Sequence, residues 1–130
     1  MADDSVGVLI VDDQAPFRLA AKAVVRATPG FSVIGEARSG EEAVALAAEL
    51  EPQLVLMDIN MDGIGGIEAT RRIVEEHPSV RVLLLSTYDV ESLPADAATS
   101  GAVAYVHKEQ FGPDVLTRAW AGKLPLSFRS

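Results

Sequence analysis

The chain reads as an α/β protein built on an open parallel sheet, and three observations carry that expectation. Four short, unbroken apolar runs recur along the 130 residues, Val8 to Val11, Leu54 to Met57, Val82 to Leu85 and Ala102 to Val106, and a weaker fifth spans Phe31 to Ala37. Segments with helical spacing alternate with these runs. Neither an internal repeat nor a linker-like stretch interrupts the alternation. Apolar runs that do not alternate with polar residues are the mark of strands buried on both faces, which is the situation of a parallel strand between two helix layers. Successive parallel strands are then joined by right-handed helical crossovers.

Taken in order, the first run leads into a helix in which Phe17, Ala20, Ala21, Val24 and Val25 share one face at i, i+3, i+4, i+7 and i+8. Ala43, Leu46, Ala47 and Leu50 repeat that pattern after the second strand. Ser39 and Glu42 supply a capping box at its start, and Pro52 stops it. A third helix, about Ile67 to His77, pairs Glu68 with Arg72 and Arg71 with Glu75 across single turns and ends before Pro78. The fourth is short, roughly Pro94 to Ser100 before Gly101, and the fifth runs from about Pro113 to Trp120.

Composition excludes several kinds of function. The length suits one domain over residues 1–130, and 48% hydrophobic residues are enough for a core. Eleven basic against nineteen acidic residues give a net charge of −8, which disfavours direct binding to nucleic acid or an anionic membrane. The absence of cysteine removes disulfides, thiolate metal sites and cysteine nucleophiles. An acidic start, Met-Ala-Asp-Asp-Ser, does not resemble a signal peptide, so a soluble cytoplasmic protein is expected.

The polar residues are informative through their position. Asp12 and Asp13 follow the first run, Asp58 the third, Ser86 and Thr87 the fourth, and Lys108 the fifth. All stand at carboxyl ends of expected parallel strands, the edge at which open α/β sheets bind ligands. Singly, each is an ordinary cap or turn residue; together they imply a shared pocket. At ~5 Å and an effective dielectric of ~20, each pair of ionised carboxylates repels by about 3 kcal/mol, so the group calls for a cation. A hard divalent ion such as Mg2+ suits oxygen ligands of this kind. Gly63, Gly65 and Gly66 match no phosphate-loop spacing and are read as a turn with positive φ. His77 and His107 lack partners that would suggest metal binding or catalysis.

These residues resemble a known family, the receiver domain of bacterial two-component response regulators. The likeness covers about residues 6–120. It rests on Val-Asp-Asp at 11 to 13, Leu-Met-Asp-Ile-Asn-Met-Asp-Gly at 56 to 63, Gly-Ile-Glu at 66 to 68, Leu-Leu-Leu-Ser-Thr at 83 to 87 and Gly-Ala-Val-Ala-Tyr-Val-His-Lys at 101 to 108. The resemblance implies a doubly wound, flavodoxin-like sheet of five parallel strands in the order 2-1-3-4-5 with helices on both faces. It further implies that Asp58 accepts a phosphoryl group and that Asp13 ligates Mg2+ directly while Asp12 does so through water. Asp58 and the backbone carbonyl of Asn60 would complete the metal site. Lys108 would pair with the phosphoryl group, Ser86 and Tyr105 would act as switch residues, and Tyr88, two positions past Ser86, would guard access of water as a gatekeeper.

The implied partners are a sensor histidine kinase or phosphotransfer protein, an output domain or partner protein, and a second copy in a homodimer. Catalysis would be confined to the domain's own phosphorylation and dephosphorylation. Three positions depart from the family pattern: Asp62 and Glu109 stand where proline is common, and Pro94 shortens the fourth helix. The final stretch after Trp120 is too short for a helix-turn-helix, leaving either a stand-alone receiver or one from a longer regulator. Two other readings compete. An Mg2+-dependent phosphatase or phosphotransferase of the haloacid dehalogenase type would need a second Asp two residues past its nucleophile, where Asn60 and Gln14 stand. A degenerate receiver acting only as a binding module would not need the full set of side chains present here.

Overall fold

A computed structural model describes residues 5–89 and 92–122. Five parallel strands, β1 (Val6–Val11), β2 (Phe31–Ala37), β3 (Leu54–Asp58), β4 (Arg81–Ser86) and β5 (Ala104–His107), lie in the order β2-β1-β3-β4-β5. Helices α1 (Ala15–Ala27), α2 (Gly40–Leu50), α3 (Gly65–Glu76) and α4 (Pro113–Trp120) cover its two faces. The five-strand order and the doubly wound architecture agree with the expectation from the sequence.

Each apolar run divides its side chains between two cores. On one face Val8, Ile10, Leu54, Leu56, Leu83 and Leu85 pack with Ala21 and Val25 of α1 and Leu116 and Ala119 of α4. Leu9, Val11, Val55, Met57, Val82 and Leu84 point the other way, onto Ala43 and Ala47 of α2 and Ala69 and Ile73 of α3. This is why the runs show no alternation: both sets of residues are inside. All five residues of β3, the central strand, are buried, and truncating Leu56 to Ala would cost about 2–5 kcal/mol in lost burial and cavity formation. At the rim of the sheet, Trp120 of α4 meets Phe31 edge-on and lies under Arg81, whose guanidinium also donates to the Trp120 carbonyl.

Three local expectations are refined. Ser39 caps α2 by accepting from the Glu42 N–H at 3.1 Å, but the Glu42 carboxylate reaches back to the Arg38 N–H at 2.7 Å rather than to that of Ser39. Glu68 pairs with Arg72 as expected, whereas Arg71 turns to Glu68 and Asp96 instead of Glu75. The fourth helix is reduced to a 3₁₀ turn, Ala95–Ala97. Pro94 supplies an extended entry (φ −57°, ψ 144°) and Gly101 a left-handed exit (φ 98°), so too few residues remain between them for two α-helical turns. Residues 1–4 and 123–130, which include the acidic start and the final stretch, lie outside the described residues.

Candidate functional site

The parallel arrangement brings the carboxyl ends of β1 and β3 side by side, since Val11 pairs with Met57 in the ladder. Asp12 leaves β1 one residue later, and Asp58 is the last residue of β3. Asp12, Asp13 and Asp58 thereby present carboxylate oxygens that all lie within 4.8 Å of one another. Asp12 and Asp58 are buried, while Asp13 is exposed. An open cleft of about 320 Å³, lined by Asp13, Ile59, Asn60, Met61 and Asp62, forms the mouth of the group.

Lys108 enters from the far side of the sheet's midline, at the end of β5. Its ammonium lies 2.7 Å from Asp12 Oδ2 and 3.3 Å from Asp58 Oδ1, over the ring of Phe17 at 4.7 Å. Asp12 Oδ2 makes no well-aligned hydrogen bond, so this ion pair is what compensates its burial. Burial alone would lower the lysine's pKa, but its pairing with Asp12 and Asp58 outweighs that effect and holds it above the ordinary value. Asp58 moves upward, from 3.8 to about 6, through burial first and the neighbouring Asp12 second, against the opposing pull of Lys108 and the Asn60 N–H. One cation therefore does not fully offset three carboxylates. An octahedral ion with ligands at about 2.1 Å places opposite oxygens roughly 4.2 Å apart, so small movements of these side chains would let them hold a hard divalent cation.

The turn after Asp58 is built for close approach. Gly63 (φ 82°) and Gly65 (φ 77°) have the expected left-handed backbone. Gly66 is required for a different reason, because a Cβ there would fall 1.9 Å from the Asp58 carbonyl oxygen. Across the loop, the Glu41 carboxylate at the start of α2 accepts from the Ile64 N–H at 3.3 Å.

Ser86, Tyr88 and Tyr105 form a second group at the ends of β4 and β5. The Ser86 hydroxyl accepts from the Tyr88 N–H at 3.1 Å. Tyr105, buried on the α2/α3 face, donates its single proton between the Ser86 carbonyl at 3.1 Å and the still closer Tyr88 carbonyl. Burial raises the Tyr105 pKa and so keeps the phenol protonated as a donor. The half-exposed ring of Tyr88 extends toward the cleft, where its hydroxyl donates to Asn60 Oδ1 at 3.3 Å. The His107 Nδ1 accepts from the Glu109 N–H and caps the 3₁₀ turn that carries Lys108.

Two contributors escaped the sequence reading. Phe17 was legible only as a core position of α1, and its second contact, under the Lys108 ammonium, depends on tertiary placement. Arg18 is buried, donating to the Asp12 carbonyl at 2.8 Å and to Glu36 at 3.2 Å. The available signal was a cation one turn into a helix that starts just past two aspartates.

The model of the response regulator receiver domain family matches residues 8–120. The chain belongs to this family. It is a receiver domain of two-component response regulators, and its aspartate cluster fits the phospho-acceptor site of such domains. Among curated relatives it is 37% identical over 107 residues to the transcriptional regulatory protein DegU of Brevibacillus brevis, covering 82% of this chain and 45% of that protein. It is 38% identical over 103 residues to the response regulator GacA of Pseudomonas protegens, covering 79% and 48%. The receiver thus spans about half the length of these relatives. Among solved structures, the response regulator domain of Thermotoga maritima CheB superposes with a TM-score of 0.81 at 32% identity, over 92% of this chain and 96% of that one. A chain of the CheX-CheY-BeF3-Mg2+ complex from Borrelia burgdorferi superposes at 0.77 with 30% identity, over 92% and 90%.

Proposed function

We propose that this receiver accepts a phosphoryl group on Asp58 from the phosphohistidine of a sensor histidine kinase or phosphotransfer protein and converts it into a changed surface. The observation that carries this reading is the buried Asp58 carboxylate, which shares the Lys108 ammonium with Asp12 and clusters with Asp13 beside an open cleft that Asp13 and Asn60 line. With a pKa of about 6, Asp58 is mostly ionised at neutral pH and needs no general base. One of its oxygens bonds to phosphorus as the nitrogen–phosphorus bond of the donor breaks, and the released imidazole nitrogen keeps the bonding pair. Lys108 is placed to pair with the oxygens of the transferred group.

Asp13 and Asp58, with the Asn60 backbone carbonyl, would hold Mg2+ directly, and Asp12 through water. When bound, the ion supplies neutralisation of the crowded oxygens. The Ser86 hydroxyl, now engaged by the Tyr88 N–H, is the donor that a phosphoryl oxygen would recruit. Releasing that contact frees the Tyr88 backbone, to which Tyr105 is tied, and so passes the change to the surface around β5. The Tyr88 hydroxyl also reaches Asn60, which lines the cleft, and this contact supports a role for Tyr88 as a gatekeeper against water. The domain, with its core at residues 6–120, works in the cytoplasm, where the donor kinase would present its phosphohistidine; no helix among the described residues is long and apolar enough to cross a membrane. Its output passes to an attached domain or partner protein, or to a second copy in a homodimer, and its chemistry is limited to its own phosphorylation and dephosphorylation.

Incubation with acetyl phosphate and Mg2+, followed by intact mass, tests the reading. One phosphoryl adduct, lost in Asp58→Asn, is expected. Steady turnover of a small phosphate ester would instead support a phosphatase, and the absence of any adduct a receiver that only binds.

A further inference from the structure

We propose that Arg18 is a positioning residue for the metal site, acting through the peptide that joins Asp12 to Asp13. This rests on the reading of the aspartate cluster as an Mg2+ site. Asp12 is fastened at four points. Its N–H donates to the Ala37 carbonyl at 3.1 Å, its Oδ1 accepts from the Gln14 N–H at 2.8 Å, its Oδ2 faces Lys108 at 2.7 Å, and its carbonyl accepts from Arg18 Nη1 at 2.8 Å. Three of these hold the residue's own backbone N–H or side chain. The fourth, from Arg18, sets the plane of the peptide between the two aspartates, and because that unit is rigid, tilting it moves both carboxylates together.

The guanidinium is itself held in place. Its Nε donates to Glu36 Oε1 at 3.2 Å, and Lys22 Nζ lies 2.8 Å from Glu36 Oε2. Arg18 and Lys22 stand one turn apart on α1, and Glu36 projects from β2, so the three side chains tie the helix to the edge strand. A guanidinium that is nearly buried is uncommon without paired carboxylates and acceptors, and here one fork serves Glu36 while the other serves the backbone beneath the site. Arg suits this task because its planar donors can engage two acceptors in fixed directions, which a lysine ammonium cannot do equally well.

Partners that orient metal ligands without touching the metal commonly change affinity by 10- to 100-fold when removed. Arg18→Met, which keeps the aliphatic stem, is expected to weaken Mg2+ binding about tenfold by calorimetry, with Arg18→Lys and Glu36→Gln falling between it and the wild type. In phosphorylation by acetyl phosphate the loss should appear as a higher Mg2+ concentration at half-maximal rate, with the rate at saturating Mg2+ restored. A purely structural role would lower the urea midpoint and leave both Mg2+ readings unchanged in the folded protein, and that result overturns the proposal. Should Arg18→Met fail to fold, Arg18→Lys and Glu36→Gln carry the same test, and wild-type Mg2+ affinity in both overturns it. Asp13→Asn separates the two levels. If it loses Mg2+ while the Arg18 variants do not, only the positioning role is refuted; if it binds as the wild type does, the metal-site reading falls and this inference with it.

Discussion

Replacing Asp58 with asparagine should stabilise the metal-free protein. The carboxylate sits buried beside Asp12, and its pKa rises from 3.8 in an unfolded chain to about 6 in the folded one. A raised carboxyl pKa means that folding favours the protonated form. At pH 7.5 the folded protein therefore carries a charge whose burial costs about 3 kcal/mol, the free-energy equivalent of that displacement. The cost shrinks as pH falls through 6 and disappears below 3.8. At pH 4.5 it is about 1 kcal/mol. Asn is nearly isosteric and uncharged, so Asp58→Asn removes this cost at every pH while leaving Lys108 paired with Asp12 at 2.7 Å.

The assay is urea unfolding of both proteins at pH 7.5 and 4.5 in the presence of a chelator. The variant should gain about 3 kcal/mol at the higher pH and about 1 kcal/mol at the lower. Taking the difference between two proteins at each pH removes the contributions of titrating groups that do not interact with Asp58. Equal stabilities at pH 7.5, or a gain that does not depend on pH, would refute the argument that Asp58 is strained by burial and by Asp12. Adding Mg2+ should narrow the gap at pH 7.5, because the ion stabilises only the protein that binds it well.

Other perturbations follow from the same geometry. Asp13→Ala should nearly abolish Mg2+ binding by calorimetry with an unchanged circular dichroism spectrum, since the residue is exposed and its loss also relieves repulsion. Lys108→Ala leaves two buried carboxylates without their cation and should cost about 3–5 kcal/mol in urea unfolding at pH 7.5, while slowing phosphorylation by acetyl phosphate. Tyr88→Ala removes the ring that reaches Asn60 and should shorten the lifetime of the phosphoryl adduct severalfold, followed by mass, with little change in its rate of formation.

The sequence made the sheet legible because both faces of the strands are buried, so the runs from Val8 and Leu54 were unbroken and unmistakable. The clustering of Asp12, Asp13, Asp58 and Lys108 was legible for a related reason: parallel strands place all their carboxyl ends on one edge. What remained hidden depends on lateral placement. Whether Arg71 meets Glu75 or Glu68 is a choice among rotamers of similar energy on an exposed face. Arg18 and Phe17 look like ordinary positions of an amphipathic helix, and only the approach of α1 to β1, β2 and the end of β5 gives them their second partners. The fourth helix was not legible because Pro94, a residue suited to a first helical turn, instead has an extended ψ, and with the left-handed Gly101 it leaves room for one 3₁₀ turn.

That shortened connection bears on how a signal could leave the site. Asp12 is fixed by four polar contacts and Asp58 ends a fully buried strand, so the chemical end of the domain is held rigidly. Between β4 and β5 the balance is different. The Ala95–Ala97 turn buries one alanine side chain, Ala97, and the link from Ser86 to Tyr88 and Tyr105 runs through single hydrogen bonds. Each such bond contributes only about 0.5–1.5 kcal/mol net. A phosphoryl group on Asp58, as proposed above, would offer the Ser86 hydroxyl proton an ionic acceptor, about twice as strong as a neutral one, whereas the contact with Tyr88 uses the hydroxyl oxygen as the acceptor. Turning Ser86 toward that acceptor would exchange its contact with Tyr88 for a stronger one, and the segment so released reaches the α2/α3 core through Leu93 and Ala97.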